Sequence, residues 1–390
     1  MTHKQRILAA CRGEVPDRIP WVPRLDLWYN AHSRAGTLPA PFEKASLREI
    51  TNALGVGYHA VVPNFLDTRS SNDTIDRCLG IYRLRTMPLE TRLHNVRREV
   101  QVDGDRTRVV YHTPVGSVSG TFGYTPEMRA AGASISWIGE HVYKSPADVS
   151  VLAHVFSNLE VVPTYDTYRA WQEWVGEDGV AVAVAHLPAS PMHHIMRELL
   201  PMTDFFLELH DSPDELAQLA GSMDRWFRQM LTAAVESPAE VIFLGGNYDE
   251  TITYPPFYEQ HILPWLVEAA ELAHRHGKFL LTHTDGENKG LIDLYRRSRF
   301  DIADSFCPAP MTKMTLGQFM EALPEVTVWG GIPSIALCES SMSDRDFDRL
   351  LDETLELARG RSRIILGIAD TTPPGADFDR ILRITRKVQG

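Results

Sequence analysis

From about residue 145 onward the chain repeats one unit: a short apolar run, a loop, then a stretch with helical spacing. The apolar runs are Val180–Ala185, Val241–Leu244, Phe279–Thr282, Ile302–Phe306, Val326–Trp329 and Ile364–Gly367. Each is too short for a core helix and reads as a buried strand. Between them, residues 213–236 place Leu216, Leu219, Met223 and Phe227 on one stripe behind Pro213, a residue suited to a first helical turn. Residues 256–276 carry a similar stripe. Strands joined by crossover helices lie parallel. Two earlier runs, Ile19–Val22 and His59–Val62, bring the set to about eight β units, the number a closed barrel needs. The expected class is therefore α/β, a (β/α)8 TIM-like barrel. An open doubly wound sheet fits less well, because no glycine-rich phosphate loop follows an early strand.

Residues 82–122 have a different character. Val96–Val102, Arg106–His112 and Val115–Thr121 alternate as strands do, and Asp103-Gly104-Asp105 suits a hairpin turn. This predicts an antiparallel β insert near residues 82–122 within a single domain spanning 1–390.

Composition narrows the partners. The formal net charge is -12 and no long basic run occurs, which argues against nucleic acid or an anionic membrane. No signal-peptide core follows Met1, and no apolar run is long enough to span a bilayer. Cys11, Cys78, Cys307 and Cys338 are scattered and form no CxxC pair. The expectation is a cytoplasmic enzyme with a small-molecule substrate.

In a β/α barrel, chemistry sits in the loops after the strands. Phe279–Thr282 runs into His283-Thr284-Asp285-Gly286. On a strand, residues i and i+2 point to the same side, so His283 and Asp285 are expected to face one point. That point suits a metal ion or a proton-transfer pair. The bland alternative is a histidine bonded to backbone and a plain Asp-Gly turn. Asp370, after Ile364–Gly367, is a further ligand candidate, against an Asx turn before Pro373-Pro374. Asp249 and Glu250 are candidate acid–base groups, against capping of the helix near Pro255. Asn247 and His186 stand at other strand ends as candidate substrate contacts. Near the N-terminus, Arg24 and Asp26 share a face by alternation beside Trp28 and Tyr29. Arg24 would hold a substrate carboxylate, with Asp26, Trp28 and Tyr29 around it.

The opening Arg6-Ile7-Leu8-Ala9-Ala10-Cys11-Arg12-Gly13-Glu14-Val15-Pro16-Asp17-Arg18-Ile19-Pro20 resembles that of the uroporphyrinogen decarboxylase superfamily. The resemblance resumes from about Ser145 and takes in His283–Gly286, Trp329-Gly330-Gly331-Ile332-Pro333 and the Gly367–Pro374 loop. It implies a β/α barrel. The superfamily contains porphyrinogen decarboxylases and zinc-dependent methyltransferases that work with methylated corrinoid proteins, thiols or methoxy compounds. The methyltransferases present His-x-Cys where this chain has His283-Thr284-Asp285, and a second Cys near the place of Asp370. Aspartate keeps an anionic ligand but exchanges soft sulfur for hard oxygen. The decarboxylases use a histidine in the last loop, and this chain has none between Ile364 and Pro374.

Three readings follow. The first is a metal-dependent methyltransferase or demethylase. His283, Asp285 and Asp370 would hold a divalent metal, zinc foremost, and a corrinoid would be carried by a separate protein. The second is a metal-free decarboxylase or lyase acting on a small carboxylated substrate. The third is a binding protein without turnover. A homodimer is compatible with all three.

Overall fold

A computed structural model describes residues 1–390 except 63, 64, 67 and 69, and of residue 71 only the backbone. The alternating region forms two antiparallel sheets. In the smaller, β1 (Leu89–Leu93) pairs with β6 (Leu159–Pro163). In the larger, β2 (Arg97–Asp103), β3 (Arg106–Thr113), β4 (Gly116–Gly123) and β5 (Trp137–Glu140) lie in that order. The insert is thus longer than the 82–122 expected from sequence. A short helix at Pro126–Ala130 interrupts it, and β5 is too brief to show an alternation. Val109, Tyr111 and Val118 are buried on the inner face, while their strand neighbours are more exposed.

Six further strands make one parallel sheet. They are β7 (Ala183–His186), β8 (Val241–Gly246), β9 (Phe279–His283), β10 (Ile302–Phe306), β11 (Thr327–Pro333) and β12 (Ile364–Ala369), hydrogen-bonded in sequence order. Every residue of β8, β10, β11 and β12 is buried. That explains the unbroken apolar runs, since a parallel sheet covered by helices has no wet face to alternate toward.

The two early strands are a correction. Ile19–Val22 is reduced to a bridge between Trp21 and Leu366, and 59–62 forms no strand. Pro20 and Pro23 bracket the first segment and remove two ladder donors. The hydrogen bonds nevertheless continue past β12. Val22 N–H donates to Leu366 O (2.9 Å), Gly57 N–H to Trp21 O (2.9 Å) and, just before β7, Val182 N–H to Ala60 O (3.1 Å).

The helices cover this sheet through their predicted stripes. Helix Pro213–Glu236 has acidic groups in its first turn, where the helix dipole favours them, and buries Leu216, Leu219, Met223, Trp226 and Phe227. The expected helix over 256–276 is divided. Residues Tyr258–Ile262 form a π-helical turn before the α-helix Leu263–Arg275. Pro264 has no N–H to return to the preceding turn, which widens it.

Trp226 joins the two regions. It is 1% exposed, packs on Phe156 and Phe227, and donates its Nε1–H to Thr91 Oγ1 in β1 at 3.0 Å. Trp226→Ala should lower stability by about 3–5 kcal/mol. Urea unfolding should report it as a lower midpoint with an unchanged slope.

Candidate metal centre

The centre begins with a register. In the parallel pair β9–β10, His283 lies beside Asp304. The two side chains meet, and His283 Nδ1–H donates to Asp304 Oδ2 at 2.6 Å. Both residues are buried, at 6% and 1% exposure. Directly after Asp304 the ladder shifts register, and Ser305 takes a positive φ of 59°. With Nδ1 occupied, Nε2 is the free face of the imidazole. It looks toward Asp370 Oδ1 at 3.3 Å and Asp285 Oδ2 at 3.8 Å.

The loops supply the rest. Asn247 Nδ2 donates to Asp285 Oδ2 at 2.9 Å, and Asn247 N–H bonds His283 O at 3.1 Å. This approach requires Gly246, where a Cβ would lie 2.8 Å from His283 Cβ. Asp370 sits past the end of β12, and Arg24 Nη1 donates to its Oδ1 at 2.7 Å. Arg24 Nε also reaches Asp26 Oδ1 at 3.2 Å, and Thr371 Oγ1–H donates to that same oxygen at 3.0 Å. His59 Nε2 stands 4.0 Å from Asp304 Oδ1.

Charge dominates this cluster. Four carboxylates, Asp26, Asp285, Asp304 and Asp370, lie around Arg24, which is paired with two of them, while Arg197 acts on Asp285 from farther off. Burial works against a charged His283, but Asp285 and Asp370, with the hydrogen bond to Asp304, overcome it and hold the imidazole well above its usual range. Asp304 is buried too, yet its bond to His283 and the neighbouring His59 draw it down to about 2. For Asp370 burial is outweighed by Arg24 and His283, and its carboxyl is held well below the ordinary value. Asp285 moves the other way. Burial and the charge of Asp370 raise it, against the pull of His283 and Arg197.

One ligand atom each from His283, Asp285 and Asp370 lies within 4.8 Å of the others. Asp285 Oδ1 is buried with no hydrogen-bond partner among the described residues. An imidazole nitrogen, two carboxylates, an orphaned buried oxygen and a carboxylate behind the histidine together fit a divalent cation. The surplus of negative charge fits it as well.

The structure brings together His283, Asp285, Asp370, Arg24, Asp26 and Asn247 of the residues singled out from sequence. Tyr29 lines an adjoining cavity of about 520 Å³, with Arg24, Asp26, Tyr58, His59 and Trp171. The three candidate ligands are not in that wall; Arg24 and His59 link the cavity to them.

Two expectations are corrected. Trp28 does not line the cavity that Tyr29 lines. Residue 26 opens a helix instead of continuing a strand, so Trp28 turns inward, 1% exposed and stacked on Phe378 at 5.2 Å. His186 faces away from the centre. Its Nε2 shares a hydrogen bond with His194 Nδ1 at 2.8 Å, and its ring packs on Trp226 and Phe227. Asp249 and Glu250 are engaged elsewhere. Asp249 accepts from the N–H groups of Thr251 and Glu287, and Glu250 pairs with Lys313 and accepts from Gly290 N–H. Among the described residues, neither bonds His283, Asp285 or Asp370.

Asp304, His59 and Arg197 escaped the sequence reading. The signal for Asp304 was a carboxylate inside the apolar run Ile302–Phe306. Arg197 donates Nη1–H to Gly246 O at 3.1 Å, next to the loop that holds Asp285.

No protein-family model matches the chain, and no curated protein matches it. Among solved structures it is similar to a methyltransferase from Methanosarcina mazei, with 14% identity, a TM-score of 0.55 and 100% of both chains covered. At that identity the likeness establishes a shared fold.

In metal-free protein His283 should be protonated at pH 7, and Asp304→Asn should lower its pKa by about one unit or more. Imidazole nitrogen shifts followed by NMR titration would measure both. A raised imidazole pKa stabilises the fold fully below the unfolded value of about 6.5 and is lost as pH rises through the folded value. Metal-free wild type should therefore lose stability above about pH 6.5, and Asp304→Asn should lose less.

Proposed function

We propose that the chain is a single-domain (β/α)8 methyltransferase. It would move a methyl group between a small methylated substrate and a corrinoid carried by a separate protein, using a divalent metal, zinc foremost. The observation that carries this reading is the convergence of His283 Nε2, Asp285 and Asp370 behind an imidazole locked by Asp304. Hydrogen bonds through residues 20–22, 57 and 60 support ring closure between β12 and β7. Similarity of fold to a methyltransferase supports the reaction class. The corrinoid partner rests on the superfamily resemblance of the opening segment and the strand-end loops.

Each residue then has a task. Asp304 fixes the tautomer of His283 and keeps Nε2 facing the ligand position. Asn247 orients Asp285, and Arg24 keeps Asp370 ionised while presenting its remaining face to the cavity. The cavity of about 520 Å³ beside Arg24 would take the methyl donor. A bound divalent cation supplies Lewis acidity toward the oxygen or sulfur that bears the methyl group. Among the described residues no helix is long and apolar enough to cross a membrane.

One observation favours a second reading. Without a cation, His283 is a protonated acid held beside Arg24, the arrangement a metal-free decarboxylase or lyase needs to protonate a carbanion near a bound carboxylate.

Metal analysis of protein purified without added metal separates the two. About one equivalent in wild type, lost in His283→Ala and Asp285→Ala, is the expected result. Asp304→Asn should bind metal about 10–100-fold more weakly. No metal in any of these proteins, even after incubation with zinc, sinks the methyl-transfer reading and leaves the acid–base one.

A further inference from the structure

The insert ends in an edge strand that is open to a partner. β2 is the outermost strand of the four-stranded sheet, and all seven of its residues are exposed. Among the described residues no other strand pairs with its outer side. Natural edges are blunted by charged side chains, proline, a bulge or a covering loop, and β2 carries the first of these in Arg97, Arg98, Glu99 and Asp103. Residues Arg97–Asp103 include no proline, and their pairing with β3 runs without a register shift.

The apolar content of this edge is continuous with the core. Val100 pairs with Val109, which is fully buried, and Arg98 pairs with Tyr111, also fully buried. Arg98, Val100 and Val102 therefore lie on the inner face of the sheet. At the edge that face is uncovered, with Val100 43% and Val102 70% exposed. Another strand laid along β2 would extend the covered row.

We propose that the occupant is β2 of a second copy of this chain, joined antiparallel about a two-fold axis at Val100 to make one sheet of the two inserts. Charge decides this. In a symmetric antiparallel pair the twofold must pass a residue facing its own equivalent, and hydrogen-bonding groups stay in phase only for such registers. Centring on Glu99 sets Glu99 against itself. Centring on Gln101 sets Glu99 against Asp103 twice. Centring on Val100 brings Val100 to Val100, Glu99 to Gln101, Arg98 to Val102 and Arg97 to Asp103. That register alone of the three avoids like charges and twice pairs opposite ones, which stabilise a ladder where like charges oppose it.

Arg97 and Asp103 also have no ion-pair partner among the described residues. Arg98 and Glu99, by contrast, are engaged within the chain, with Asp76 and His112. In its own hairpin Asp103 lies opposite Arg106, and Arg97 opposite His112. The two charges of β2 that make no ion pair among the described residues are the two that this register brings together. The interface involves none of the residues of the metal centre, so it stands or falls apart from the proposed reaction.

Sedimentation of the full chain from about 1 to about 100 μM tests it, the range in which a micromolar Kd is visible. Wild type should show a monomer–dimer equilibrium that weakens at high salt. Arg97→Asp and Asp103→Arg should each weaken the dimer about tenfold or more, because each puts like charges opposite at two symmetric positions. The double variant R97D/D103R exchanges the charges and should recover wild-type association. Both side chains are exposed, and far-ultraviolet circular dichroism would confirm that each variant is folded. The proposal is overturned if wild type is monomeric throughout, if either single variant associates like wild type, or if the double variant stays dissociated.

Discussion

The hydrogen bond between His283 and Asp304 is the constraint on which the rest of the centre depends. It joins two buried groups on neighbouring parallel strands, so its geometry follows the ladder more than loop packing. Burying a carboxylate or an imidazolium costs on the order of several kcal/mol per ion unless each is paired and bonded. Here the pairing is mutual. Asp304 is ionised because His283 donates to it, and His283 holds its proton because carboxylates lie on both sides. Removing either partner would strand the other in a low-dielectric interior.

The bond also assigns the roles of the neighbours. Once Nδ1 is committed to Asp304, only Nε2 faces Asp285 and Asp370, and these carboxylates compete to be satisfied by it. A proton on Nε2 and a cation in front of Nε2 exclude each other, since a metal ligand must be deprotonated. The raised imidazole pKa and the fit to a divalent cation are therefore two consequences of one charge surplus. Arg24 offsets only part of that surplus, because it is shared between Asp26 and Asp370.

The sequence made the later strands legible for a specific reason. Strands β8 to β12 are covered on both faces, so each reads as an apolar run ending in loop residues. The same burial hid which side each residue faces. When both faces are apolar, period two gives no parity, and a one-residue change of phase sends a side chain to the opposite face. His283 and His186 both end a strand, yet one faces the centre and the other the long helix 213–236. Asp304 stood out locally as a carboxylate inside an apolar run, but its partner is set by register across strands, which the run itself does not encode. The first early segment failed as a strand because Pro20 and Pro23 deplete its donors, although residues 20–22 still bond to β12. Trp28 was misplaced where an expected strand alternation gave way to a helix at Asp26.

The centre is built in two mechanical layers. His283 and Asp304 belong to the sheet, and their separation cannot change without breaking the β9–β10 ladder. Asp285, Asp370 and Arg24 lie beyond strand ends and are positioned by side-chain hydrogen bonds, from Asn247 and between Arg24 and Asp370. Asp370 keeps 35% of its side chain exposed, whereas Asp304 keeps 1%. Substitutions in the first layer should thus disturb folding and the site together, because they leave a buried charge unpaired. Substitutions in the second should disturb the fold less, because Asp26 and Asp370 keep 41% and 35% of their side chains exposed. A rigid imidazole facing adjustable carboxylates lets one ligand fix the place while the others conform to what is bound there. Loops carried on a rigid sheet provide that division without loosening the core.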